Sequence, residues 1–173
     1  MSIIVADVGG TNARFAICSR GDPSLRHISW LRCTDFEGFE DAFKRFLAGL
    51  PRDEQSGQHS LSLAVAGPVN EQTVEISNNH WQFEKDRLLD QLGLDKLLVI
   101  NDFTAQALAQ HDVADFDRIQ LLGGVEDVSA PLLVIGPGTG LGVSALIPVA
   151  QRPLPIEGEG GNIRFTPQTA LSE

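Results

Sequence analysis

The stretch that most restricts the fold runs from Ile3 to Cys18. Ile3 to Val8 is a short apolar run rich in branched residues, broken at Gly9-Gly10 and resumed from Phe15 to Cys18. Short apolar runs bounded by turn residues read as buried strands, so this stretch predicts a β-hairpin. Glycines permit positive φ and leave the backbone bare, which would let N–H groups of the turn approach a ligand. Asp7 stands just before the turn, and Thr11, Asn12 and Arg14 just after it. Thr and Asn supply hydrogen-bond donors, and Arg a fixed positive charge suited to phosphate oxygens. A carboxylate at Asp7 could hold a metal ion through its water shell. A plain hairpin would share the Gly-Gly break. The polar cluster around it is what points to a phosphate and metal cradle.

The rest of the chain sets that hairpin in an α/β domain. Gly21 to Ser24 reads as a turn, and Arg26 to Thr34 alternates enough to be a third antiparallel strand. Phe36, Phe39, Ala42, Phe43, Phe46, Leu47 and Leu50 recur at helical spacing, with Asp35 as the expected N-cap and Pro51 as the stop. Arg52 to Gln58 reads as a loop and Leu61 to Ala66 as a strand parallel to the first. Thr73 to Ser77 is a short strand, and Glu84 to Leu92 a helix ended by Gly93. Leu97 to Ile100 is uninterrupted and apolar, as in a parallel strand covered on both faces. A helix follows from Phe103 to Gln110. Beyond it, strands are expected over Arg118 to Leu122, Leu132 to Ile135 and Leu141 to Ile147.

The last two enclose Gly136-Pro137-Gly138-Thr139-Gly140, so a strand, a glycine turn with a Thr and a strand occur twice. This predicts an approximate internal duplication, with a boundary near Asp112: a first unit over 1–112 and a shorter one over 113–173. The second is at the low end of size for an independent core, and a truncated chain is the expectation.

Composition narrows the partners. The 173 residues are 42% hydrophobic, enough for a core, and 23 acidic against 13 basic residues give a net charge of -10. That balance disfavours nucleic acid, which needs a basic face, and an anionic membrane surface. An anionic substrate must be held locally. Cys18 and Cys33 lack metal-binding spacing and read as buried thiols. No signal peptide or membrane-length apolar run is visible, which makes the cytoplasm the expected compartment.

Three further motifs carry chemistry. Asn101-Asp102 stands where a strand hands over to a helix, the usual ligand position of parallel sheets. An Asp there can take a proton from a substrate hydroxyl that the Asn fixes; the pair could equally cap the helix. Gly136 to Gly142 has four glycines and Thr139, suited to wrapping phosphate. No Lys and no helix follow, so it is neither a Walker A loop nor a dinucleotide fingerprint. Glu157 to Asn162 sets carboxylates among glycines, where they could reach a neutral polyol or form an acidic loop. Asn78-Asn79-His80-Trp81 offers amides and an aromatic face, with His80 read as a structural hydrogen-bonder.

Taken in order and spacing, Asp7 to Arg14, Asn78 to Trp81, Ile100 to Ala105, Gly136 to Gly142 and Gly158 to Gly161 resemble the bacterial ATP-dependent glucokinases along the whole chain. The resemblance implies an actin-like, ribonuclease-H-like ATPase fold: a complete or nearly complete small N-terminal domain plus the start of the large domain. It implies phosphoryl transfer from Mg-ATP to the 6-hydroxyl of glucose or a related hexose, within glycolysis. Asp102 would be the general base, with Asn78, Asn101 and Glu159 on sugar hydroxyls. Asp7, Gly9, Gly10, Thr11, Asn12, Arg14, Gly136, Gly138, Thr139 and Gly140 would hold phosphates and Mg2+, the metal through water on Asp7. The family usually follows Gly-Glu-Gly-Gly with a sugar-holding His, where this chain has Asn162. Family chains are longer, and their remainder supplies another sugar-contacting Glu, the adenosine site and a final helix. Weak or absent activity of this length alone is the expectation. The alternatives are a non-catalytic sugar-binding or self-associating module, for which a homodimer would be the form expected, and another ATPase or a phosphatase of the same fold.

Overall fold

The computed structural model describes residues 2–56, 58–110, 112–113, 115–125, 127–137, 140–149, 153–158 and 160. β1 (Ser2–Val8) and β2 (Asn12–Ser19) form the predicted hairpin, with Asp7 opposite Arg14 and Val8 opposite Ala13. β3 (Asp22–Arg32) adds antiparallel to β2 and leads into a 3-10 turn at Cys33–Asp35. Helix α1 (Phe39–Ala48) starts behind Gly38, so the expected cap at Asp35 is corrected: that residue closes the 3-10 turn instead. The expected loop after Pro51 contains a short helix, α2 (Arg52–Gln55), whose first turn closes on the Pro51 carbonyl.

β4 (Ser60–Val65) runs parallel to β1. β5 (Thr73–Glu75) pairs with β6 (Gln82–Glu84), a strand too short to show a period in the sequence. Helix α3 (Lys85–Leu92) ends at Gly93, whose φ of 60° is left-handed and suits glycine at that cap. β7 (Lys96–Asn101) runs parallel to β4, and α4 (Asp102–Ala109) follows directly.

The first sheet has the order β3-β2-β1-β4-β7. Its core face carries Ile4, Val8, Phe15, Ile17, Leu61, Leu63 and Val65, packed on Phe39, Phe43 and Phe46 of α1. Phe15 stacks on Phe46 at 5.2 Å between ring centroids and lies 5.8 Å from Phe39. Each such side chain contributes about 1.5–3 kcal/mol by leaving water. The opposite face is less covered. Leu98 on the edge strand β7 is 53% exposed, so β7 is not enclosed on both faces as its sequence suggested.

The chain divides between Asp102 and Phe103 into two compact units, ahead of the boundary expected near Asp112. The second unit contains a 3-10 turn (Asp115–Asp117) where the sequence led into an expected strand. Residues 118–122 are not a strand: they pair with no strand of the three sheets among the described residues and are exposed. β8 (Leu132–Pro137), β9 (Leu141–Ile147) and β10 (Leu154–Gly158) form an antiparallel meander of order β10-β9-β8. This repeats the β3-β2-β1 meander of the first unit and agrees with the duplication expected from the two glycine hairpins. Among the described residues, no helix is long and apolar enough to cross a membrane.

Candidate active site

Parallel pairing sets the C-terminal ends of β1, β4 and β7 level, with Val8 opposite Val65 and Val65 opposite Asn101. The Gly9-Gly10 turn, the Ala66-Gly67 bend and the Asn101-Asp102 handover therefore leave one edge of one sheet. Asn78 reaches the same edge: Ser77 N–H donates to the Ala66 carbonyl at 2.8 Å, and Ala66 N–H to that of Val8 at 2.9 Å.

The glycine turn is built differently from its expected role. Neither Gly9 nor Gly10 has positive φ, which among described glycines occurs at Gly21, Gly67 and Gly93. Gly9 N–H donates to the Asn12 carbonyl at 3.0 Å, so it closes the turn instead of facing a ligand. Gly10 is needed for close approach, since a Cβ there would lie 3.1 Å from the Asn78 carbonyl oxygen. Thr11 and Asn12 are exposed at the tip, and the Thr11 carbonyl accepts from Cys33 N–H at 2.9 Å.

Asp7 and Arg14 are cross-strand partners on the half-exposed face. Arg14 Nη1 donates to Asp7 Oδ2 at 3.0 Å, and its guanidinium lies 4.4 Å over the Trp30 ring. The cation and the carboxylate that the sequence assigned to phosphate and metal thus hold each other, and Trp30 holds the cation in plane.

Asn101 is buried and donates its Nδ2 to the Gly67 carbonyl at 3.1 Å, fixing the β7 end against the β4 end. Gly67 has a φ of 123° and a Cβ there would meet Ser77 Oγ at 2.7 Å, so two strand ends and the Asn78 loop close on one another. Asp102 opens α4 as its first residue, half-buried at this edge. Asn78 has a left-handed φ of 57° and an exposed side chain. Trp81 offers no aromatic face: it is 2% exposed and packs in the core on Phe39. His80 does act structurally, with Nε2 3.0 Å from the Phe36 carbonyl that also accepts from Trp81 Nε1 at 3.4 Å.

Two residues to which the sequence reading gave no role at the glycine turn hold it in place. Asn79 Nδ2 donates to the Gly9 carbonyl at 3.1 Å, and Cys33 Sγ approaches the same oxygen at 3.7 Å. Burial pushes the Cys33 thiol up, so it stays a neutral donor. Both cysteines are free and buried, as expected. The adjacency of Asn79 to Asn78 was the available signal; which of the two faces inward is a property of the left-handed backbone at Asn78.

The second glycine turn lies in the other unit. A Cβ on Gly136 or Gly142 would overlap the Phe103 ring, so both are bare because α4 packs its first aromatic residue there. Gly140 has open space around it. Gly138, Thr139, Glu159 and Asn162 lie outside the described residues.

A β-meander repeated in two units, with a glycine turn and a carboxylate at the ends of parallel strands, defines the actin-like ATPase fold. The crystal structure of a glucokinase from an Antarctic psychrotroph superimposes with a TM-score of 0.82 and 31% identity, covering 99% of this chain and 54% of that one. A hexokinase from Thermus thermophilus shares the fold at a TM-score of 0.62 and 20% identity, over 99% of this chain and 57% of that one. A model of the glucokinase family matches residues 4–173. The glucokinase of Hahella chejuensis is 44% identical over 165 residues, which is 95% of this chain and 50% of that protein. This chain belongs to the glucokinase family, and it spans about half the length of the curated relatives it matches.

Proposed function

We propose that this chain carries the hydroxyl-activating side and part of the phosphate-binding side of a glucokinase, which transfers the γ-phosphoryl group of ATP to the 6-hydroxyl of glucose. The observation that carries the reading is the shared edge where Asn101-Asp102 ends β7 and Gly9-Gly10 ends β1. In phosphoryl transfer a base must meet the attacking hydroxyl while donors gather the transferred group, and positioning does most of the work. Asp102 would accept the hydroxyl proton, and Asn78 and Asn101 would hold sugar hydroxyls. Glu159 and Asn162 would join them, the amide at 162 altering sugar affinity or choice before abolishing it.

Thr11, Asn12 and Arg14 beside Gly9 and Gly10 would face phosphate oxygens, as would Gly138, Thr139 and Gly140, with Gly136 supporting that turn. Among the described residues no group of three or more acidic, His or Cys side chains could hold a metal by itself. Mg2+ nevertheless fits, because it is commonly bound by one carboxylate together with phosphates and water, and Asp7 offers that carboxylate once Arg14 turns to phosphate. The ion would neutralise charge on the β- and γ-phosphates. The domains we propose run over 1–112 and 113–173, which keeps α4 with β7, the strand it follows, although the compact units divide at Asp102, and a cytoplasmic location fits this chemistry.

Glucose- and Mg-ATP-dependent ADP release tests the reading, measured on this chain and on the chain joined to the C-terminal half of the Hahella chejuensis glucokinase. Activity in either, lowered about a hundredfold or more by Asp102→Asn, is the expected result. Silence of both, or an active Asp102→Asn variant, overturns it. A self-associating sugar-binding module is a second reading, favoured by the exposed Leu25, Ile28 and Trp30 on edge strand β3. A homodimer in sedimentation equilibrium together with glucose binding and no turnover would select it.

A further inference from the structure

The Asn79 side chain is held at both ends of its amide. Nδ2 donates to the Gly9 carbonyl at 3.1 Å, and Oδ1 accepts from Trp81 N–H at 3.1 Å. Flipping the amide would set oxygen against oxygen and N–H against N–H, so both contacts demand one orientation. The residue is half-buried, whereas its neighbour Asn78 is exposed. Trp81, which receives one end, is locked in the core. Gly9, at the other end, belongs to the turn between β1 and β2. A second seam runs alongside: Gly10 lies so close to Ser77 and Asn78 that no Cβ fits without displacing backbone. The glycine turn therefore rests on the loop that presents Asn78, and Asn79 is the side chain that bonds the two together.

We propose that Asn79 is a positioning residue that ties the glycine turn to the Asn78 loop, so that occupancy of the turn by phosphate is felt at the sugar-facing side. This rests on the reading of the turn as a phosphate site. Cys33 supplies the control that separates coupling from mere support. Its thiol approaches the same Gly9 oxygen and also meets the Asn79 side chain, but it makes neither of the two bonds by which that amide joins Gly9 to Trp81. Loss of the thiol loosens the turn and leaves the bridge in place.

Asp at this position keeps the oxygen that receives Trp81 N–H and replaces the donor to Gly9 with a second oxygen, which breaks one end of the bridge alone. Mg-ATP titrations followed by amide chemical shifts of the isotope-labelled chain test the proposal. In the parent chain and in Cys33→Ala, Mg-ATP is expected to shift amides over 9–12 and, with them, those over 77–81. In Asn79→Asp and Asn79→Ala the turn still responds, with affinity weakened about fivefold or more, while the shifts over 77–81 are lost. Asn79→Ala decides the matter if the Asp variant fails to fold. Loop shifts in the Asn79 variants equal to the parent's would overturn the coupling and leave the phosphate reading standing. A turn that ignores Mg-ATP both in the parent chain and in the chain joined to the C-terminal half of the Hahella chejuensis glucokinase would overturn the phosphate reading and the coupling with it.

Discussion

A methyl group added to Gly10 would sit 3.1 Å from the Asn78 carbonyl oxygen and 3.2 Å from that of Ser77. Both neighbours are backbone, which yields less readily than the end of a long side chain. Gly10→Ala is therefore expected to destabilise the chain by about 1–3 kcal/mol, the range of overpacking. Urea unfolding of the parent and variant measures it, and an unchanged midpoint would show that the turn and loop can part freely. The residue identities at this turn were legible in the sequence, but their reasons were not. Glycine suggested positive φ, and the turn uses none at Gly9 or Gly10. Arg14 suggested a phosphate partner, and its register opposite Asp7 supplies one already. A sequence gives residue types at spacings; which face each takes follows from strand register, which pairing fixes.

The contact of α4 with the second hairpin belongs to the element scale. Gly136 and Gly142 face the Phe103 ring from neighbouring strands, and they are register partners in the β8–β9 pair. The prediction is a double-mutant cycle. Gly142→Ala alone should destabilise the second unit by about 1–3 kcal/mol, because the new methyl and the ring need the same space. In a Phe103→Ala background the same change should cost much less, with a coupling of about 1 kcal/mol or more. Additive effects in urea unfolding would mean that the ring does not rest on these glycines. β1, β7 and β8 were legible from unbroken apolar runs, and β4 and β9 from apolar residues interrupted only at Ser62, Gly142 and Ser144, each stretch bounded by turn residues. β10 was not, since Pro155 and Gly158 look like loop residues and its pairing to β9 is what makes it a strand. Residues 118–122 have strand-like composition, yet a strand needs a partner and they find none among the described residues.

At the scale of the whole molecule the two units differ in how much core they hold. In the first, the sheet and α1 enclose a continuous cluster from Ile4 to Val99 that includes Phe15, Phe39, Phe43 and Trp81. In the second, the buried apolar side chains among the described residues are Ala107 and Leu146. Its segment from 116 to 128 exposes Phe116, Ile119, Leu121, Leu122, Val125 and Val128, each at least 83% accessible. Stability follows buried apolar area, and amides open at the free energy of the cooperative unit that holds them. Hydrogen exchange should therefore grade the chain. Amides of β1 and β4 should exchange only through global opening of the first unit, those of β8 and β9 should exchange faster, and those over 116–125 fastest. Peptide-resolved exchange read by mass spectrometry, repeated across low urea concentrations, separates the cases. The expected pattern is a lower opening free energy and a smaller urea dependence for β8 and β9 than for β1 and β4. Equal values in both would show one cooperative body, and the division at Asp102 would then be geometric without being energetic.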